Sequence, residues 1–128
     1  MPDSTHATVL DIAAVVAARD FAAARSWYRR VLGREPDLEP IDGVAEWQIT
    51  DTSWLQLVTD PDRAGKSMVR FGVGDLAAHV EMLNDAGIAT GEPVVIADMV
   101  VVVDVADPDG NEVSFVQELT AEPPASTR

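Results

Sequence analysis

The sequence predicts an α+β fold in which two β-α-β-β-β modules form a curled mixed sheet, shaped like a cup, with the helices outside. Two segments have apolar residues at helical spacing, and apolar runs of strand length surround each of them. Clusters of Gly, Pro, Asp and Asn separate these runs. The order of elements in the first half returns in the second half at an offset of about 55–58 residues, which indicates an internal repeat.

The first module is predicted to cover residues 9–60. It begins with the apolar run "VLDIAAVVA", which has the length and composition of a strand. A helix is expected next, because Asp20 occupies an N-cap position and Gly33 follows the last apolar residue. The expected buried face of this helix consists of Phe21, Ala24, Tyr28, Val31 and Leu32. Three further strands are expected at residues 34–40, 44–50 and 53–59.

The second module is predicted to cover residues 68–119, after a linker at residues 61–67. The strand "SMVRFGVG" precedes a helix that begins after Asp75 and ends near Gly87. Three more strands are expected at residues 90–97, 99–106 and 112–119. Residues 1–8 are expected to form a flexible N-terminus and the Pro-, Ala- and Ser-rich residues 120–128 a disordered tail.

The segment "DPDGN" at residues 107–111 contains two acids and suggests either a calcium loop or a tight turn. A calcium loop of the EF-hand type has Gly at its sixth position, whereas Gly110 is the fourth residue counted from Asp107. Pro108 and Gly110 suit a turn, and apolar runs flank the segment on both sides. We therefore predict a β-hairpin.

Composition and charge exclude several classes of function. The net charge of −13 argues against nucleic-acid binding, which needs a basic surface. No apolar run approaches the length of about 20 residues that a membrane span needs, and the first residues show no secretory signal. The chain has no cysteine, which excludes disulfides and fits a cytoplasmic location.

The duplicated module resembles the vicinal oxygen chelate superfamily, which includes glyoxalase I, extradiol dioxygenases, fosfomycin-resistance enzymes and bleomycin-binding resistance proteins. The resemblance covers residues 9–119, and its most specific parts are "DFAAARSWYRRVLG" and "DPDGN". It implies that the two modules form a cup that holds a small molecule. It also implies a homodimer, because similar proteins pair modules across a two-fold axis.

The metal enzymes of this superfamily place His, Gln or Glu at four positions that face the cup. Aligned on the repeat, these positions are Ala13, Gln56, Met68 and Ser114. Ala and Met offer no ligand to a hard divalent cation, and Gln and Ser are weak neutral ligands. We therefore predict that the protein has no metal cofactor and lacks the metal-dependent activities. The two histidines, His6 and His79, are expected to be solvated residues outside the cup.

Strand alternation predicts which side chains face the cup. Leu55, Leu57, Val69, Phe71, Val113 and Phe115 are assigned to the helix side, as are Ile12, Ala14 and Val16 of the first strand. Trp54 is assigned to the cup, whereas alternation alone does not decide the face of Trp47. Asp104 interrupts a run of valines, so a buried acid would have to be paired or functional. We expect Asp104 either to function in the cup, to form an ion pair, for example with Arg70, or to be an edge-strand acid in contact with water. The predicted ligand-binding residues are Trp47, Trp54, Gln56, Met68, Arg70, Val102, Asp104 and Ser114.

The preferred hypothesis is a metal-independent protein that binds a cationic or aromatic small molecule, similar to drug-sequestering resistance proteins. Trp47 and Trp54 would stack on the ligand, and Asp104 would accept a hydrogen bond or oppose a cation. The alternative is a metal-free isomerase or lyase in which Asp104 is the general base and Arg70 or Gln56 stabilises an oxyanion. A third hypothesis is a helper subunit that uses the fold only to bind another protein. No nucleic-acid or membrane partner is expected.

Overall fold

A computed structural model describes residues 8–119 of the chain. The predicted flexible N-terminus and disordered tail therefore lie outside the described residues, apart from Thr8. In chain order the elements are β1 (Ile12–Ala18), α1 (Phe21–Leu32), β2 (Val44–Thr50), β3 (Ser53–Thr59), β4 (Met68–Gly72), α2 (Leu76–Asp85), β5 (Val94–Ile96), β6 (Val100–Ala106) and β7 (Glu112–Glu118).

The strands form two mixed sheets that confirm the predicted α+β class. The first sheet has the order β1-β3-β2, and the second has the order β4-β7-β6-β5. Each module contains one parallel pair, β1 with β3 and β4 with β7, and the connection between the partners of each pair includes a helix. The remaining pairs are antiparallel. The two halves of the chain thus repeat the same topology, as the sequence repeat predicts.

The first module has one strand fewer than predicted. Residues 34–40 form only an isolated bridge between Leu38 and Glu46. Pro36 and Pro40 flank this bridge, and proline has no N–H to donate to a neighbouring strand, which limits a longer ladder here. The corresponding part of the second module does form a strand, β5, although it is only three residues long.

The predicted N-caps of both helices are confirmed. Asp20 accepts a hydrogen bond from the backbone N–H of Ala23 at 3.2 Å, and Asp75 accepts one from Ala78 at 3.0 Å. These bonds satisfy N–H groups in the first turn that have no partner within the helix. Gly33 ends α1 with a φ of 77°, a left-handed conformation that favours glycine.

The two modules share one hydrophobic core. In the first module the core contains Trp27, Tyr28 and Val31 of α1 together with Leu55 and Leu57 of β3. In the second module it contains Leu83 of α2, two valines of β6, and Val113 and Phe115 of β7. Because the buried residues of both modules form one cluster, the modules pack as a single unit.

The segment "DPDGN" forms the predicted hairpin turn between β6 and β7, with Gly110 at a φ of 94°. Its first acid, Asp107, is buried and accepts hydrogen bonds from Tyr28 Oη at 2.6 Å and Asn111 Nδ2 at 2.8 Å. Burial, followed by this contact with Asp107, raises the pKa of Tyr28 well above its usual value. The buried acid is thus satisfied within the protein rather than by an ion.

The same turn connects the two modules. Asn111 Nδ2 also donates to the carbonyl of Ala17 in β1 at 2.9 Å, and Asn111 Oδ1 accepts from the backbone N–H of Ser67 at 3.0 Å. The backbone N–H of Arg19 donates to Asp109 Oδ1 at 3.0 Å. The turn therefore holds the start of β4 and the end of β1 in fixed positions relative to each other.

Candidate functional site

The candidate site is a cleft between the two sheets, where strands β1 and β4 approach each other. Its volume is about 210 Å³, and its walls are mostly apolar. The residues that define it include Ile12, Ala13, Ile49, Trp54, Arg70 and Phe71. Of the eight residues predicted to bind a ligand, Trp54 and Arg70 are brought together in this cleft.

Trp54 forms part of the wall on the side of the first module. It lies in the middle strand of the sheet, between Ala13 of β1 and Gln48 of β2. Leu55 and Leu57, which point to the opposite face of the same strand, are fully buried, whereas Trp54 is only half-buried. A partly exposed indole in an apolar cleft offers a flat surface on which a ligand can pack.

Arg70, on β4 of the second module, is a charged residue that lines the cleft. Across the sheet it is paired with Ser114 of β7, which is paired in turn with Asp104 of β6. Ser114 is buried, and its Oγ donates a hydrogen bond to Asp104 Oδ1 at 2.6 Å. Within residues 8–119 no ion pair involves Arg70, so the alternative of an Arg70–Asp104 pair is not found.

Asp104 is exposed, which agrees with the alternative of an acid in contact with water, although β6 is not an edge strand. Val103 and Val105 of β6 are buried against the helix side, but Asp104 points to the opposite face and is exposed. The run of valines suggested burial on both faces, whereas only one face of this strand is covered at Asp104. The carboxylate therefore carries no large desolvation cost and retains contact with solvent.

A second acid with the same arrangement lies in the first module and was not predicted. Gln56 Nε2 donates a hydrogen bond to Glu46 Oε2 at 2.6 Å across strands β3 and β2. Glu46 could have been identified from the internal repeat, because the offset that relates Gln56 to Ser114 also relates Glu46 to Asp104. In each module, one acid is thus hydrogen-bonded to a neutral side chain, and that neutral side chain aligns with a position where the metal enzymes have a ligand.

Trp47 does not belong to the site, and its inclusion among the ligand-binding residues is wrong. Its exposed fraction is 0%, and it packs on Tyr28 with 6.3 Å between ring centroids. Its Nε1 donates to the carbonyl of Arg34 at 2.9 Å. In β2 the helix side consists of Ala45 and Trp47, so the indole is a core residue with its polar atom satisfied.

The remaining predicted residues do not line the cleft: they are Gln56, Met68, Val102, Asp104 and Ser114. Met68 is 58% exposed at the start of β4, and Val102 is 8% exposed in β6. In β1 the assignment of Val16 to the helix side is confirmed because it is buried. Ile12 and Ala14 alternate onto the same face as Val16, and Ala14 is paired with the buried Leu55, but both are exposed because this end of β1 is not covered.

The residues present do not fit the metal that the superfamily uses. Ala13 and Met68 supply no suitable donor, and the polar groups of Gln56 and Ser114 are hydrogen-bonded to Glu46 and Asp104. In the described part of the chain, no three or more His, Asp or Glu residues come together in a way that could hold a metal ion.

His79 is half-buried on α2, which corrects the expectation that it is a solvated residue. Its ring packs on Phe115 at 4.4 Å between centroids, on the side of the sheet opposite the cup. Nε2 is buried and has no hydrogen-bond partner among residues 8–119, and desolvation lowers the pKa of the imidazole. The other histidine, His6, lies outside the described residues.

Comparisons with known proteins agree with this architecture. A glyoxalase-like domain family model matches residues 13–116. A solved glyoxalase/bleomycin resistance protein from Catenulispora acidiphila DSM 44928 is 36% identical with a TM-score of 0.79, and the match covers 84% of this chain and 97% of that one. A search of curated proteins finds no match. No helix in the described range is long and apolar enough to cross a membrane.

Two more distant structures share the fold. TnmS3, an antibiotic-binding protein from Streptomyces sp. CB03234, is 20% identical with a TM-score of 0.71, and the match covers 83% of this chain and 93% of that one. A bleomycin-binding protein in complex with bleomycin is 19% identical with a TM-score of 0.68, with 84% and 95% covered. The matched residues and the 36% identity show that the chain belongs to the glyoxalase-like family of the vicinal oxygen chelate superfamily.

Proposed function

We propose that this protein binds a small organic molecule in the cleft between β1 and β4, without a metal, and releases it unchanged. The observation that carries the proposal is the partly exposed indole of Trp54 in an apolar cleft. Binding would come from removing apolar surface from water and from packing a flat ligand on the indole. The poor donors at Ala13 and Met68 support a role that does not depend on a metal.

The family relationship supports a binding role. Structures with the same fold include an antibiotic-binding protein and a protein in complex with bleomycin. The enzyme alternative has less support, because Asp104 is exposed and lacks the desolvation expected of a buried general base. Asp104 also lies outside the cleft, two strands away from Arg70.

The size of the cleft supports a second copy of the chain as part of the binding unit. Pockets that hold drug-sized ligands usually have volumes of about 300–1,000 Å³. The cleft of one chain, at about 210 Å³, has room for a ring-sized group. Exposed apolar side chains lie beside it, including Ile12, Val15 and Met68. We propose that a homodimer covers these side chains and adds walls to the site.

A titration with 2-phenylethanol tests the proposal, because this neutral probe carries one ring and no charge. The three indole N–H signals are followed by NMR and assigned with a Trp54→Phe variant. We expect the Trp54 signal to shift, the signals of the buried Trp27 and Trp47 to stay in place, and the result to persist in excess EDTA. Metal analysis should show well below one equivalent, and mass spectrometry should recover the probe unchanged. Loss of binding in EDTA, or a converted product, would contradict the proposal.

A further inference from the structure

Among residues 8–119, Arg70 is the only charged residue that lines the cleft. The other lining residues are apolar except for Ser53, and no carboxylate is among them. The charge that a ligand meets inside the cleft is therefore positive, although the chain as a whole has a net charge of −13. The acids of the neighbouring strands, Asp104 and Glu46, lie outside the cleft and are hydrogen-bonded to Ser114 and Gln56.

Arg70 also differs from the other arginines of the described residues. Arg30 donates a hydrogen bond to the carbonyl of Ala86 at 3.0 Å. Arg70 has neither an ion pair nor a hydrogen bond to any residue within 8–119, and its side chain is exposed beside the cleft. The arginines that form ion pairs with carboxylates are Arg19, Arg25, Arg29, Arg34 and Arg63.

The position of Asp104 does not favour an ion pair with Arg70. Asp104 lies two strands away from Arg70, and Ser114 lies between them in the same row. Neighbouring strands are about 4.8 Å apart, so two strand spacings exceed the range of an ion pair unless the side chains lean together. The hydrogen bond from Ser114 instead holds one carboxylate oxygen of Asp104.

We infer that the cleft selects a small ligand that carries a carboxylate on an apolar or aromatic body. The planar guanidinium of Arg70 would donate two parallel hydrogen bonds to the carboxylate, and the body would pack on Trp54. This inference rests on the proposed function, since it names the ligand class of the same cleft. It replaces the cationic ligand of the sequence-based hypothesis with an anionic one.

The negative charge of the whole surface does not override a contact with Arg70. At physiological salt, charges more than about 8 Å apart in solvent are largely screened, whereas a direct guanidinium–carboxylate contact is not. The distant acids therefore reduce the rate of encounter with an anion more than they weaken the contact once it forms.

Three probes with the same ring and different head groups test the inference. Phenylacetate is an anion, 2-phenylethanol is neutral and phenethylamine is a cation. Each is titrated into the full chain at physiological salt while the Trp54 indole signal is followed. We expect phenylacetate to bind roughly tenfold more tightly than 2-phenylethanol, the scale of one charge-assisted hydrogen bond, and phenethylamine to bind most weakly.

Two variants that each remove one positive charge test whether Arg70 causes the preference for phenylacetate. Arg70→Gln should weaken phenylacetate binding by roughly tenfold and 2-phenylethanol binding by much less. The control is Arg63→Gln, since Arg63 is an exposed residue in the linker that pairs with Asp60 and does not line the cleft. It should leave all three affinities unchanged. Both substituted side chains are exposed, so circular dichroism should show an intact fold.

The possible results separate this inference from the proposed function. If no probe shifts the Trp54 signal, both the proposed function and the inference are rejected. If 2-phenylethanol binds but phenylacetate binds no better, the binding function stands and the ligand class is rejected. An equal loss of phenylacetate binding in Arg63→Gln would assign the effect to net charge and would also reject the role of Arg70.

Discussion

Trp47 and Trp54 show how the same residue type serves two purposes on neighbouring strands. Trp47 lies on the helix side of β2, where its ring is fully buried and its Nε1 is bonded to a backbone carbonyl. Trp54 lies on β3 and is half-buried at the wall of the cleft. Replacing Trp47 would therefore remove core packing, whereas replacing Trp54 would mainly remove a surface for a ligand.

We predict that Trp54→Ala weakens binding of 2-phenylethanol by about 1–3 kcal/mol, the scale of losing an aromatic anchor. Trp54→Phe keeps a ring at the same place and should lose only part of this energy. Isothermal titration of both variants against the unchanged protein measures the difference. Equal affinity of Trp54→Ala and the unchanged protein would show that the indole is not part of the binding surface.

His79 predicts a pH dependence of stability. Desolvation lowers the pKa of the folded imidazole below its ordinary value of 6.5, so the unfolded chain takes up the proton more readily. The free energy of unfolding should therefore fall as the pH drops through the unfolded pKa toward the folded one. Urea titrations at about pH 7.5 and pH 5 measure this change, which should be smaller in His79→Leu. An unchanged pH dependence in the variant would assign the effect to other groups.

At the scale of single elements, the turn between β6 and β7 has the greatest number of buried polar contacts between the modules. Asn111 bonds to Asp107 within the turn, to Ala17 at the end of β1 and to Ser67 before β4. Because β1 and β4 are the two strands that border the cleft, the turn also sets the distance between the cleft walls. Its acids therefore have a structural role.

We predict that Asn111→Ala lowers the free energy of unfolding by about 2–4 kcal/mol, since several buried groups lose their partners at once. Glu112→Gln is a suitable control, because Glu112 follows Asn111 but is exposed. The control should change stability by less than about 0.5 kcal/mol. Chemical denaturation monitored by circular dichroism compares the two. A loss below 1 kcal/mol in Asn111→Ala would contradict the proposed role of the turn.

The sequence was informative about elements and less informative about how they meet. N-caps, turn residues and strand alternation are local signals, so both helices, the hairpin at Gly110 and the cup face of Trp54 were predictable. The face of Trp47 and the exposure of Asp104 depend on which side of a strand is covered. The position of the cleft was not predicted, because the cleft forms where the edges of two sheets approach each other. The distance between these edges cannot be predicted from a local sequence pattern.

At the scale of the whole molecule, the arrangement of exposed apolar residues predicts a homodimer. Ile12 is 71% exposed and Val15 53%, and both lie on β1 at the border of the first sheet, near the cleft. Apolar side chains clustered at an open sheet edge usually mark a contact with another chain. We expect light scattering to give twice the chain mass of 13.7 kDa, and Ile12→Asp to shift the mass toward the monomer. A mass of one chain at micromolar concentration would contradict the dimer.

A crystal structure of the protein grown with 2-phenylethanol would show directly whether the cleft is the binding site. We expect density for the probe between β1 and β4, with its ring packed on Trp54. Density for the ring on the helix side of either sheet, with an empty cleft between β1 and β4, would contradict the proposal.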